Sequence, residues 1–184
     1  MKQGKIVFQG ISRKGTAIII RYPKSSDVAA FLKYINALSQ ERTFILAQGR
    51  KFKIEEEKKW LEDKIKNIEK KRTIILAVFA GKELAGSASV EQDSDAVASQ
   101  GSFHIGITKK FRGEGIGKLL MALTIEEAVR NLKGLRMITL NVFANNPVAM
   151  SLYKKMGFKK FGSLPKSVLR RGKYVDNDYM YLNL

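Results

Sequence analysis

Residues 111–118 read Phe-Arg-Gly-Glu-Gly-Ile-Gly-Lys, three alternating glycines between a strand-like segment and an amphipathic helical one. Glycine lets the backbone turn sharply and approach a ligand without interference from a Cβ. The helix beyond Gly115 opens on N–H groups that lack an internal partner and on the positive end of its dipole. An anion such as a pyrophosphate is the natural occupant of such a position, and Arg112 and Lys118 add full positive charge. The spacing is G-x-G-x-G, which differs from the dinucleotide fingerprint G-x-G-x-x-G. Leu119 follows Lys118 where a nucleotide-triphosphate loop needs Ser or Thr. On these residues alone, a turn that merely joins strand to helix fits equally well.

The flanking chain supports a mixed architecture. Thr16–Tyr22 is β-branched and reads as a strand, and Ser25, Ser26 and Asp27 offer caps for a helix running to about Leu38. Glu55–Lys71 reads as a second helix with Leu61, Ile65 and Ile68 inward and Glu55/Lys59 and Glu62/Lys66 at i, i+4 outside. Thr73–Ala80 and Glu83–Gln92 flank Gly81-Lys82 as a hairpin, and Asp93–Gln100 reads as a surface loop. Ser102–Thr108 is a strand, and Gly115–Leu132 a helix with Ile116, Leu119, Leu120 and Leu123 inward. Arg136–Phe143 alternates. Asn146-Pro147 opens a helix that Gly157 stops, and strands over Phe158–Leu164 and Lys173–Leu184 finish the chain. Strands and helices in this order imply an α+β or α/β domain around one sheet, a single domain over 1–184.

Lys and Arg number 34 against 17 Asp and Glu, a net charge of +17. Such a field attracts polyanions, whether nucleic acid, an anionic membrane surface or a phosphate-bearing cofactor. A Lys- and Glu-rich surface of the thermophile kind is the plainer reading. The aromatics do not interleave with the basic residues in a nucleic-acid-binding pattern, so that class is disfavoured. Cysteine is absent, which removes disulfides, thiolate metal sites and cysteine nucleophiles. No apolar run reaches the ~18 residues of a membrane span, and the N-terminus has no signal-peptide pattern. A cytoplasmic location is the expectation, and a homodimer is compatible with all of this.

About 30 residues beyond the glycine segment comes Asn145-Asn146-Pro147-Val148-Ala149-Met150-Ser151-Leu152-Tyr153-Lys154-Lys155-Met156-Gly157-Phe158. Together the two segments resemble the GNAT N-acetyltransferase superfamily. Its R/Q-x-x-G-x-G/A signature matches Arg112–Gly117. Its N-x-x-A-x-x-L-Y-x-x-x-G-F matches Asn146, Ala149, Leu152, Tyr153, Gly157 and Phe158. The core would cover 16–184, leaving 1–14 as an N-terminal extension. The stretch Gly172–Met180 is more weakly similar to the phosphinothricin and amino-acid acetyltransferase subgroup, which tilts the substrate towards small amines.

The resemblance implies a mixed, mostly antiparallel sheet splayed between its fourth and fifth strands, flanked by about four helices, with acetyl-CoA in the gap. Ile105, Gly106, Ile107 and Thr108 would offer main-chain groups to the pantetheine arm. Arg112, Gly113, Glu114, Gly115, Ile116, Gly117 and Lys118 would wrap the pyrophosphate, and Asn146 would touch the cofactor from the other side. Tyr153 would stand near the thioester sulfur and protonate the leaving thiolate, unless it is simply a packed aromatic. The amine must lose a proton before it attacks. Many relatives carry a glutamate on the fourth strand, where this chain has Gly101-Ser102-Phe103-His104, or on the fifth, at Asn141. His104, Glu91 or a water chain are the alternatives. The acceptor is a small amine, an amino acid or a peptide amine. A protein N-terminus, a lysine and a basic nucleic-acid-associated module remain as alternatives. Asp176 and Asp178 read as turn residues or as an acidic acceptor site.

Overall fold

The computed structural model describes residues 1–42, 44–92 and 99–184. The chain runs β1 (Ile6–Ile11), β2 (Ala17–Arg21), α1 (Val28–Gln40), α2 (Ile54–Glu69), β3 (Thr73–Ala80), β4 (Glu83–Gln92) and β5 (Gln100–Ile107). It continues α3 (Ile116–Asn131), β6 (Met137–Phe143), α4 (Pro147–Lys155), β7 (Lys159–Arg170) and β8 (Lys173–Asn183). One eight-stranded sheet has the order β1-β2-β3-β4-β5-β6-β8-β7. Every neighbouring pair is antiparallel except β5 and β6. The α+β class, the mostly antiparallel sheet and its four helices agree with the sequence reading.

Three differences carry physical information. The segment expected to be an extension supplies β1, which pairs with β2 on the sheet edge. Pro165 does not end β7; it sits inside a register break between Leu164 and Val168, where a residue without an N–H is tolerated. Most of the surface loop expected over Asp93–Gln100 lies outside the described residues, and Gln100 already belongs to β5.

The helices divide between the faces of the sheet. β3 is buried along its length, so its side chains serve both sides in alternation. Leu76 and Val78 join Ile116, Leu120, Met121 and Ala128 of α3 in one core. Ala77 and Phe79 join Phe31, Tyr34 and Leu38 of α1 and Leu61 and Ile65 of α2 in the other. The expected α2 face of Leu61, Ile65 and Ile68 is buried as read, with Glu57 added to it. Asn146 caps α4, its Oδ1 accepting the Ala149 N–H at 3.2 Å, and Gly157 ends the helix at φ 91°.

Two carboxylates tie α3 and its entry loop to the β1–β2 hairpin. Glu127, 3% exposed, accepts the Tyr22 hydroxyl at 2.6 Å and Lys5 Nζ at 3.3 Å. Glu114, just before α3, accepts Ser12 Oγ at 2.6 Å and Thr16 Oγ1 at 2.8 Å. No helix among the described residues is long and apolar enough to cross a membrane.

The parting of the sheet is the feature that shapes everything else. β5 meets β6 only at Gln100↔Met137, Gly101↔Ile138 and Ser102↔Thr139. Beyond those pairs β5 continues to Ile107 on β4, and β6 continues to Phe143 on β8. With β1 counted, this is the gap expected between the fourth and fifth strands.

Removing the Tyr22 hydroxyl tests the α3 anchor. Tyr22→Phe leaves the buried Glu127 carboxylate one donor short, an expected cost of about 1–3 kcal/mol. A lower urea midpoint at unchanged m-value is the result that supports it.

Candidate active site

The glycine segment stands at the open end of the gap. After β5 the chain makes a short helical turn at Lys109–Phe111, pinned by the buried Phe111 ring. It then reaches Gly113 at φ 76° and Gly115 at φ 79°, the left-handed region where a side chain is strained. Gly115 is the N-cap of α3, and no side chain closes that end. The first-turn N–H groups therefore face outward, with the helix dipole behind them. A Cβ on Gly117 would touch Ile107 of β5 at 3.8 Å and Leu152 of α4 at 3.9 Å, so the backbone there runs between the two walls of the gap.

The side chains of the segment do not all point where the motif alone suggests. Arg112 donates from Nε to the Ile107 carbonyl at 2.9 Å and from Nη2 to Glu41 at 2.6 Å, binding the loop to the end of α1. Glu114 is turned back onto Ser12 and Thr16, whose hydrogen bonds hold its carboxyl below the usual range. Lys118 is exposed, and Ile116 is core. Asn146 spends its side-chain oxygen on the α4 cap. What remains for an anion is the backbone of Gly113–Lys118, with cations around it.

The walls carry main chain that no strand pairs on the gap side. On the β6 side, β5 has no ladder partner from Phe103 to Ile107, so Ile105 and Ile107 flank an open edge, with the Ile107 carbonyl taken by Arg112. Thr108 turns away, bonding Ala85 through both N–H and hydroxyl. Gly106 permits a close approach: its carbonyl accepts the Tyr34 hydroxyl at 3.0 Å, and a Cβ there would lie 2.5 Å from that oxygen.

Tyr153 and His104 belong to opposite faces of the parted sheet. Tyr153 packs with Phe158, ring centroids 6.2 Å apart, in the core that α3 shares with Phe103 and Val142. Tyr153 is 8% exposed, and its hydroxyl has no hydrogen-bond partner among the described residues. Burial pushes the phenol up to about 12, so it stays protonated at neutral pH. His104 is exposed on the other face and lines a cleft of about 530 Å³ with Gln100, Ser102, Thr139, Asn141, Phe161, Tyr179 and Tyr181. Cross-strand pairing sets Ser89 beside His104 and Glu91 beside Ser102. Glu91 itself is ion-paired with Lys64 of α2. His104, Ser102 and Asn141 thus line one cleft, with Ser89 paired across from His104 on β4, while Glu91 is committed to Lys64.

Asp176 and Asp178 are also committed. Asp176 accepts the Lys166 N–H at 2.9 Å. Burial works to raise the Asp178 carboxyl, but Lys160 at 2.6 Å and Ser163 at 2.7 Å outweigh it and hold the carboxyl low. Both lie within β8, where they tie down the β7–β8 hairpin.

One titratable group escaped the sequence reading. Glu57 lies among the charges of α2 that read as a solvated face, yet it is 6% exposed and accepts no hydrogen bond among the described residues. Burial, then the neighbouring Glu56, pushes its carboxyl up to about 7. Its position one turn before Leu61 on the apolar stripe was the available signal.

A mixed sheet parted between β5 and β6, with an uncapped helix N-terminus at the mouth of the gap, defines an acetyltransferase fold of the GNAT type. The model of the Acetyltransferase (GNAT) family matches residues 37–158, and the chain belongs to that family. It is 38% identical over 78 residues to the L-amino acid N-acetyltransferase AaaT of Escherichia coli strain K12, covering 42% of this chain and 48% of that protein. It is 33% identical over 88 residues to mycothiol acetyltransferase of Corynebacterium efficiens, covering 48% of this chain and 28% of that protein. The matches thus span less than half the length of these curated relatives. A GNAT-family acetyltransferase structure from Streptococcus pneumoniae superposes with TM-score 0.82 at 27% identity, covering 91% of this chain and 99% of that one. A ribosomal-protein-alanine N-acetyltransferase from Brucella melitensis shares the fold, with TM-score 0.78 at 23% identity over 90% of this chain and 99% of that one.

Glu57 makes stability depend on pH with a definite sign. The folded state keeps this proton up to about pH 7, whereas an unfolded glutamate releases it near 4.5. The folded chain therefore binds more protons between those values, and stability falls as pH rises through that window. Glu57→Gln removes the penalty. Its stability advantage over the wild type is expected to grow between pH 4 and pH 8 by on the order of 3 kcal/mol. A pH-independent difference in melting temperature argues against a desolvated carboxyl.

Proposed function

We propose that this protein transfers an acetyl group from acetyl-CoA to a primary amine by direct attack of the amine on the thioester. The observation that carries the reading is the gap itself. Its main-chain edges and the uncapped α3 N-terminus at its mouth suit CoA at two separate points, and Tyr153 of α4 brings a phenol into the core beside Phe103 of β5 and Val142 of β6. Among the known structures of this fold is YncA from Salmonella typhimurium, solved with its cofactor acetyl-CoA.

Acetyl-CoA supplies the activated thioester. The N–H groups of Ile116, Gly117 and Lys118 are suited to a diphosphate, and the free edge of β5 to the amides of the pantetheine arm. A main-chain N–H on that edge also suits the carbonyl oxygen as it gains charge. Tyr153, protonated at neutral pH, donates its proton to the leaving sulfur.

The amine enters from the cleft on the other face, where none of the described residues lining the wall carries a carboxylate and Phe161, Tyr179 and Tyr181 form an aromatic side. That lining favours a small amine or amino acid with an apolar body over a cationic peptide segment. AaaT, named for L-amino acids, supports the same substrate class. The proton leaves the amine through His104 or through water held by Ser89, Ser102 and Asn141.

A thiol-release assay over a panel of amino acids, amines and peptides tests the substrate class, and turnover confined to peptide N-termini would overturn it. Gly117→Val is expected to weaken acetyl-CoA binding at least tenfold, about 1.4 kcal/mol, in a calorimetric titration. Tyr153→Phe keeps the ring packing, so melting temperature and acetyl-CoA affinity stay close to wild type. Its kcat falls by about ten- to a thousandfold. A loss confined to KM assigns the hydroxyl to binding instead, and full activity removes the acid role.

A further inference from the structure

The β1–β2 turn, Ser12 to Thr16, lies against the glycine segment although it comes about 100 residues earlier in the chain. Glu114 receives Ser12 Oγ and Thr16 Oγ1 at 2.6 and 2.8 Å, and the Arg13 N–H bonds the Glu114 carbonyl at 3.1 Å. Those three bonds fix the turn in one orientation. Its two central side chains, Arg13 and Lys14, are exposed and enter no ion pair among the described residues. Both reach the left-handed glycines. A Cβ built on Gly115 would lie 3.0 Å from Arg13 Cδ and Nε, and one on Gly113 would lie 3.8 Å from Lys14 Nζ.

We propose that Arg13 and Lys14 form a cationic arm over the mouth of the gap that contacts the phosphates of CoA, and that Glu114 positions it. The inference rests on the reading of the glycine segment as the CoA-phosphate site. The motif's own arginine is unavailable for this work, because Arg112 is paired with Glu41 and the Ile107 carbonyl. Glu114, an anion inside an anion-binding segment, would repel phosphate if it faced the ligand. The hairpin instead turns it inward and presents two cations where its charge would be felt. An arm hydrogen-bonded to Glu114, between the two glycines, also braces the backbone on either side of it in the left-handed form that opens the N–H groups. Charge at such a rim acts mainly on association and is screened by salt.

The test is calorimetric titration of the full chain with CoA at low and high salt. Arg13→Ala/Lys14→Ala removes exposed side chains, so its melting temperature without ligand stays within a few degrees of wild type. Its CoA affinity is expected to fall at least tenfold at about 50 mM salt and to approach wild type at about 0.5 M, as the Debye length shortens. Arg13→Lys/Lys14→Arg keeps both charges and restores most of the affinity. Ser12→Ala/Thr16→Val keeps the cations but unpins the turn, and is expected to lose part of the affinity. Equal affinity of wild type and the double alanine variant overturns the proposal, as does a loss that salt does not reduce. A wild-type chain that binds no CoA overturns the proposed function itself. Unchanged affinity in the unpinned variant removes Glu114 from the positioning role.

Discussion

Parallel pairing of β5 and β6 stops after three residue pairs, and the rest of the molecule is arranged around that interruption. Parting two strands in mid-sheet exposes N–H and C=O groups on both edges, which is costly unless water or a ligand satisfies them. The cost is bearable because each strand keeps its other edge. β5 stays on β4 to Ile107, and β6 stays on β8 to Phe143. The two halves of the sheet can then diverge without either losing its ladder. The core bridges the gap from one side, through Phe103, Leu140, Val142, Tyr153 and Phe158. The other side is left open as a cleft.

An open gap is useful only if its mouth is held in place. α3 supplies the mouth, and polar anchors at both ends join it to the β1–β2 hairpin. Glu127 receives Tyr22 and Lys5, and Glu114 receives Ser12 and Thr16. Buried carboxylates are weak evidence of net stability, because their desolvation offsets much of what the contacts contribute. Their geometric effect is firmer: losing a donor leaves a buried acceptor unsatisfied, so the helix has little freedom to slide. The Arg112–Glu41 pair holds the loop from the α1 side in the same way. The net charge of +17 does not act uniformly here. Arg112 and Lys64 are spent on glutamates, while Arg13, Lys14 and Lys118 enter no ion pair among the described residues around the helix N-terminus.

Local chemistry was readable where the relevant partners are close in sequence. The Asn146-Pro147 cap, the Gly157 stop, the Gly81 turn and the Leu61–Ile65–Ile68 stripe each depend on residues within a turn or two. The glycine segment belongs to the same class, since left-handed backbone at Gly113 and Gly115 is a local requirement. Alternation along β5 places Phe103 and His104 on opposite faces of the strand, but alternation alone does not say which of the two meets the core.

What the sequence determined by itself was therefore most of the elements, the Asn146 cap and Gly157 stop of α4, and the anion-ready start of α3. The expected Asp27 cap of α1 is not made, because its carboxylate is taken by Arg21 and the Lys24 N–H. The tertiary structure decided the direction of each charged side chain. The motif supplies the position of Arg112 and Glu114 but not the direction of their side chains. Their partners, Glu41, Ser12 and Thr16, lie some 70 to 100 residues away and come into reach only when the sheet assembles. Glu57 looked solvated because its burial depends on α1 and the sheet closing over it. The N-terminal segment read as an extension outside the core because a lone edge strand has no periodic signal, and it became β1 only by pairing with β2. Hydrogen bonds within a few residues are written in local order, whereas a salt bridge across a hundred residues depends on packing that no local pattern encodes.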